Sequence, residues 1–319
     1  MRLLHFLRWI FPVGLIVIGT GAVSGQDYPN KPIRILTSAA GGGSDFTARQ
    51  IAQGISGPLG QPVIVDNRGG GIIAAEVVSK APPDGYALTV QGAALWIVPF
   101  LQKAPYEVGD FSPIVQTERI VFIVAVHPSM PVKSVKELIA LAKARAGELN
   151  YASVSIGGST HLAVELFKSM AGINIVHIPY KGAATAVPAL LSGDVQLMIF
   201  DTGVLGPHVK LGKLRGLAVT SGQPSALFPA LPTVTASGLP GYETVGMTGL
   251  FAPVKTPAAI IDRLNQEIVR ALNRPEVKER FLSAGLEIVG NSPEQFAATM
   301  KSDMAKMGKV IKDSGIKVN

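Results

Sequence analysis

The sequence predicts an α/β fold of two lobes, and three observations predict it. From Asp27 onward short β-branched runs alternate with amphipathic helical patterns, the periodicity of βαβ units and mostly parallel sheets. At 319 residues the chain exceeds the ~250–300 residues at which a single core usually divides. After the segment Leu239–Pro253 three helical patterns follow without strands, as expected of a tail that returns to the lobe begun by the N-terminus.

The elements follow in order. Residues 1–24 run from a basic start (Arg2, Arg8) through the apolar stretch Trp9–Ile18 into small residues ending Ala22-Val23-Ser24. That is the layout of a secretory signal peptide. The apolar run is short of the ~20 residues a membrane-spanning helix needs. Strands are expected at Ile33–Thr37, Val63–Asp66, Ala87–Val90, Ile114–His127, Leu149–Ala152, Asn174–Ile178, Val195–Phe200, Leu214–Thr220 and Gly249–Ala252, most of them β-branched and set between turn residues. Helices are expected at Asp45–Ser56, Ala74–Lys80, Val135–Ala144, Thr160–Met170, Ala183–Leu191 and Thr202–Leu211, then at Pro257–Leu272, Pro275–Ala284 and Pro293–Ser314. The last three open on proline, whose missing N–H is no loss in a first turn. Crossings between lobes are expected near 125–130 and 242–250. Lobe one is then 25–126 with 246–319, and lobe two is 127–245.

Composition narrows the function. The chain has no cysteine, which excludes disulfide scaffolds, thiolate zinc sites, thiol catalysis and a lipid-modified N-terminal Cys. Arg2 and Arg8 fall within the export segment, so the formal charge of +7 drops to +5 without it. The remaining Lys and Arg alternate with acids along helices such as Lys133–Arg145 and Arg263–Arg280. That is the pattern of solvated faces and not of a nucleic-acid surface. His127, His177 and His208 lack metal-ligand spacing, and no cofactor is expected.

Four strand ends carry candidate chemistry. Ala40-Gly41-Gly42-Gly43-Ser44-Asp45 follows the first strand and opens a helix. Its glycines expose N–H groups at a partially positive helix start, which makes an anion seat or simply a capped turn. It lacks both the G-x-G-x-x-G order and a P-loop Lys. A second seat of the same design is Ser155 with Gly157-Gly158-Ser159-Thr160-His161. It is not a nucleophile elbow, because Ser153 stands where G-x-S-x-G requires its first glycine. His161 reads as a packing or capping residue. Gly92-Ala93-Ala94-Leu95 and Asp201 end two further strands. Asp201 either pairs with a ligand ammonium or caps the next helix; Trp96 and Phe46 either line the pocket, which would suit an aromatic acid, or pack in the core. All four candidates lie beyond the carboxyl ends of strands, where open α/β sheets bind ligands.

The motifs Tyr28-Pro29-Asn30-Lys31-Pro32-Ile33-Arg34, Gly41-Gly42 with Asp45 and Arg49, Leu59-Gly60-Gln61-Pro62-Val63, Asp66-Asn67-Arg68 and Pro83-Asp84-Gly85-Tyr86 occur in that order. They continue through Asp110-Phe111-Ser112-Pro113-Ile114, His127-Pro128-Ser129, Leu149-Asn150-Tyr151-Ala152-Ser153, His177-Ile178-Pro179-Tyr180-Lys181-Gly182 and Leu231-Pro232-Thr233-Val234. In this the chain resembles the Bug-type extracytoplasmic solute receptors of tripartite tricarboxylate transporters. The resemblance implies a monomeric periplasmic receptor that closes around a small organic acid and delivers it to a membrane permease, without catalysis. It implies ligand contacts from Ala40–Asp45, Gly92–Leu95 and Gly157–His161, with Asp201, Tyr180 and Lys181 near the cleft. Dicarboxylates, tricarboxylates, acidic amino acids and aromatic acids are all compatible ligands. Ala39-Ala40 stands where the family often has a Pro pair, and Thr202 where an Asn is usual. The rival readings are an exported α/β hydrolase using Asp201 and His161, and a ligand-sensing protein. A bulky residue at Gly42 or Gly157 is expected to abolish binding.

Overall fold

The structure, a computed structural model, describes residues 28–69, 71–154 and 156–316. The expected signal peptide and Ser155 lie outside the described residues.

Two sheets divide the chain between two lobes. In the first lobe, strands β1 (Ile33–Thr37), β2 (Val63–Asn67) and β3 (Ala87–Gly92) alternate with helices α1 (Gly43–Leu59) and α2 (Gly71–Ser79), and α3 (Ala94–Leu101) follows β3. Strand β4 (Phe111–Ile120) also belongs to this sheet. The second lobe holds β5 (Phe122–Val126), α4 (Val135–Ala144), β6 (Asn150–Ser153), α5 (Ser159–Ala171), β7 (Val176–Pro179) and α6 (Ala183–Ser192). It is completed by β8 (Leu197–Asp201), α7 (Thr202–Lys210) and β9 (Arg215–Val219). The chain then returns through β10 (Gly246–Pro253), α8 (Ala258–Leu272), α9 (Pro275–Ser283), β11 (Glu287–Ile288) and α10 (Pro293–Ser314). The first sheet has the order β11-β4-β10-β3-β1-β2 and the second β7-β6-β8-β5-β9.

Both sheets are mixed, where mostly parallel ones were expected. β1 pairs in parallel with β2 and β3, and β6 with β7 and β8. The strands that enter from the opposite lobe run the other way: β10 is antiparallel to β3 and β4, and β5 to β8 and β9. The predicted single strand Ile114–His127 is two strands in different sheets, so the first crossing falls at Val121 and not at 125–130. Val121 to Val126 are all buried, and unbroken burial of a β-branched run hides the point where it changes sheets. The second crossing lies between Thr244, whose N–H still bonds Thr220 O in lobe two, and Gly246, which pairs with Ile120 of β4.

Helix α1 buries Ala48, Ile51, Ile55 and Leu59 in a cluster with Ile33, Ile35, Leu88 and Val90, and α8 adds Leu264 and Ile268. Each of the Ile, Leu and Val side chains contributes about 1.5–3 kcal/mol on burial. The opposite face of the sheet is covered by α2, α3 and α10, around Trp96, Phe251 and Phe296. Helix α10 starts on a capping box between Ser292 and Gln295 with Pro293 in its first turn. It does not serve the first lobe alone: it also packs on α5 of the second, and Lys306 Nζ donates to Glu243 O at 2.7 Å.

Two elements carry no readable signal in the sequence. The run Ala94–Leu101, ALWIVPFL, is apolar on every side and contains Pro99, so it has no helical period. Strand β11, two residues at the edge of the sheet, is too short to alternate; it nevertheless separates α9 from α10, where no strand was expected.

Candidate functional site

A cavity of about 570 Å³ opens between the lobes, within the size range of small-molecule sites. Three backbone turns, each leading into a helix, converge on it. Gly43 and Ser44 open α1, Gly92 to Ala94 join β3 to α3, and Gly157 to Ser159 open α5. The first N–H groups of each helix lack an intrahelical acceptor and carry partial positive charge. The remaining wall comes from the return strand at Thr244–Thr248, from Glu118 and Ile120 of β4, and from Ile97, Val98 and Leu101 of α3. Ile156, Leu162, Leu286, Asp303 and Met307 complete the apolar and acidic lining with Gln102. Among the described residues that line the cavity there is no Lys, Arg or His.

The first turn is held by Asp45, which is buried. Its carboxylate accepts from Gly41 N–H at 2.9 Å, Arg49 Nε at 3.0 Å and Asn67 Nδ2 at 2.8 Å. The Arg49 hydrogen bond leads in holding its pKa down to about 2, against the opposing effect of burial. Asp45 is thus consumed in bracing the loop and does not line the cavity.

The turn before α5 is held by a buried aromatic stack. Gly157 has φ +75, a left-handed conformation that suits glycine, and its N–H donates to His161 Nδ1 at 2.9 Å. His161 stacks on His177 with centroids 4.2 Å apart, and His177 on Tyr151 at 4.8 Å. Tyr151 Oη donates to Glu165 at 2.5 Å, and Lys168 pairs with the same carboxylate. Burial, then the neighbouring His177, pushes the His161 pKa down to about 4. A neutral ring that accepts a backbone N–H orients the loop, which agrees with the packing or capping reading.

Two carboxyl groups face the cavity. Asp303 Oδ2 accepts Trp96 Nε1 at 2.8 Å, and burial raises its pKa. Glu118 is 1% exposed. Thr47 Oγ1 donates to its Oε1 at 2.8 Å, while Oε2 is buried and has no partner. Burial pushes the Glu118 pKa up, outweighing the surrounding threonine hydroxyls.

Of the residues singled out in the sequence, Gly43, Ser44, Gly92, Ala93, Ala94, Gly157, Gly158 and Ser159 line this one cavity. Ala40, Gly41 and Gly42 lie on the exposed approach to it. Leu95, Thr160 and His161 are buried behind the lining. Tyr180 packs on the second-lobe core and Lys181 is exposed. Asp201 precedes α7 without a side-chain cap bond, and burial raises its pKa to about 6; it and Tyr180 and Lys181 are not among the lining residues. Trp96 is core, and Phe46 packs on Phe281 at 5.2 Å. The acid/base pairing of His161 with Asp201 has no support, since His161 Nδ1 is occupied by Gly157 and neither residue reaches the cavity.

Sequence reasoning missed Glu118, Asp303 and the strip Thr244–Thr248. Glu118 left a trace, an acid inside a β-branched run, and so did Asp303, which falls on the buried face of α10 with Met300 and Met307.

Residues 47–316 match the family model of the tripartite tricarboxylate transporter family receptor. Protein BugT of Bordetella pertussis is 32% identical over 325 residues, covering 99% of this chain and 100% of that one. Among solved structures, Rpa4515 of R. palustris with adipate aligns with a TM-score of 0.74 and 34% identity, over 91% of this chain and 99% of that one. MatC of Rhodopseudomonas palustris with bound malate aligns with a TM-score of 0.69 and 26% identity, over 89% and 100%. With a receptor's two lobes, an interlobe cavity and a family match across most of its length, the chain belongs to the tripartite tricarboxylate transporter family of solute-binding receptors.

Proposed function

We propose that the protein is an exported periplasmic receptor that captures a small organic carboxylate between its lobes and delivers it to a tripartite tricarboxylate transporter permease. The observation that carries the carboxylate is the convergence of three helix-opening turns, two from one lobe and one from the other, on a cavity whose described lining has no cationic side chain. An anion there is held by amide dipoles. Because donors come from both lobes, the complete set exists only when the lobes meet, which couples capture to closure. The relatives with adipate and malate support an organic acid, and membership of the transporter family supports the permease.

The test is a thermal-shift screen of the mature protein against mono-, di- and tricarboxylates, acidic amino acids and aromatic acids, with calorimetry on the hits. A specific ligand raises the apparent Tm by mass action, by about 2.7 kcal/mol of stability at a hundredfold excess over Kd. Absence of binding by every acid refutes the ligand class. Delivery is tested by uptake in permease-deleted cells: uptake of the bound acid that persists without the permease removes that half of the proposal.

A further inference from the structure

Of the two carboxyl groups in the cavity lining, which a simple anion seat does not need, Glu118 is the one with an oxygen that is buried and unpaired. We infer that Glu118 is a specificity-determining residue that, as a neutral acid, donates a hydrogen bond from Oε2 to an oxygen at the far end of the bound carboxylate. This rests on the carboxylate-receptor reading and adds a second recognition point to it.

The geometry makes the assignment. Glu118 Oε1 already accepts from Thr47 Oγ1, so Oε2 is the oxygen free to carry the proton. It is closed to solvent and has no hydrogen-bond partner, on a side chain that lines the cavity, so the carboxyl meets a ligand by turning its Oε2 edge towards the cavity. A buried polar atom left unpaired is costly, and a ligand acceptor removes that cost. Glu118, Thr248 and Gly92 form one row across β4, β10 and β3. Two interstrand spacings of ~4.8 Å place Glu118 about 10 Å from the Gly92 turn, a span suited to a ligand with oxygen at both ends. The wall beside it, from Ile120, Met247 and Leu286, suits the hydrocarbon between them. With no cationic neighbour in the described lining, an ionised Glu118 would repel a second carboxylate; the acid form attracts it, and acid-to-carboxylate hydrogen bonds are short and strong.

Calorimetry with straight-chain C4–C10 dicarboxylates and the monocarboxylates of equal length tests this, in the wild type, E118Q and E118L. The wild type is expected to prefer a diacid over its monoacid by 10- to 100-fold at the matching length. E118Q, which keeps a neutral donor, retains that preference within about threefold, whereas E118L loses at least tenfold of it. The thermal transition of each variant reports folding, and if E118L does not fold, E118M, which is close to Glu in volume and has no donor, takes its place in every comparison. The inference is overturned if monoacids bind with no diacid preference, if E118L keeps the preference, or if both variants increase it, as they would for an ionised Glu118. In those cases acids still bind and the receptor reading stands. If no acid binds, that reading fails and this one with it.

Discussion

Closure of the lobes can be blocked at one atom pair. Gly157, before α5, faces Leu101 at the end of α3, and a Cβ built on Gly157 would lie 2.4 Å from Leu101 Cδ1. Real carbon atoms do not approach so closely, so Gly157→Ala forces either Leu101 or a whole lobe to shift. The variant carries two separable costs. Left-handed backbone at φ +75 costs an alanine roughly 1–2 kcal/mol, and this falls on both open and closed forms, so it lowers stability but not affinity. The contact with Leu101 exists only when the lobes meet. Overpacking of this kind costs about 1–3 kcal/mol, and it weakens Kd by roughly 5- to 150-fold. Calorimetry with the tightest acid from the screen, on wild type, Gly157→Ala, Leu101→Ala and the double variant, isolates the interlobe part as a coupling energy. The double variant should bind about as well as Leu101→Ala alone while keeping the lowered Tm of Gly157→Ala. Unchanged affinity in Gly157→Ala, or additive losses in the double variant, would refute the reasoning. Gly42, expected from the sequence to be equally sensitive, differs: its added Cβ would meet Ala39 O at 3.5 Å, an ordinary contact, and Gly42→Ala should bind within a few-fold of wild type.

Two further outcomes follow from the groups that hold the turns. Asp45→Asn should lower stability by about 1–3 kcal/mol through lost charge-assisted hydrogen bonds, read as a lower Tm at pH 7. Because the Asp45 pKa is held down to about 2, its stabilisation is full above the unfolded value near ~3.9 and lost as pH falls towards 2. The gap between the two proteins should therefore narrow over that window; a gap that stays constant contradicts it. His161, with a pKa pushed down to about 4, is favoured neutral in the fold, so its contribution is full above the unfolded value near ~6.5 and declines as pH falls from there to 4. His177, stacked on it, is shifted in the same direction. The wild-type Tm should drop between pH 6.5 and 4, and His161→Asn should flatten that drop; equal slopes in the two proteins would show that the stack does not titrate.

The elements set by local physics were legible. β1 and α4 have the expected bounds, because β-branched alternation and the Ser134 cap with its first-turn Glu137 are written in adjacent residues. The turns that line the cavity are legible for the same reason: Gly-containing segments between a strand and a helix announce exposed amides wherever the lobes sit. What stayed hidden depends on long-range packing. The sheet change at Val121 is invisible because both strands are buried, and α3 because all its faces are apolar. Glu118 and Asp303 reach the cavity from segments far in sequence from the turns, at positions where the chain only shows a polar residue on a buried face. Asp45 is the converse case. It is adjacent to the turn in sequence and falls within the expected contact run Ala40–Asp45, yet it is not among the lining residues and its oxygens are occupied by Gly41, Arg49 and Asn67.

The lining explains how such a receptor can be both selective and reversible. A buried guanidinium would hold any carboxylate strongly and distinguish poorly among them. Helix-start amides, each worth roughly 0.3–1 kcal/mol towards a charge, sum to useful affinity only when contributed by both lobes at once, so separation of the lobes removes part of the set. Selectivity must then come from elsewhere in the cavity. The two carboxyl groups of the lining differ in this respect: Asp303 spends Oδ2 on Trp96 Nε1, while in the role inferred for Glu118 its unpaired oxygen penalises every ligand that leaves it unmet. A site built this way rejects a wrong acid by what it fails to satisfy, and that discrimination needs no added positive charge.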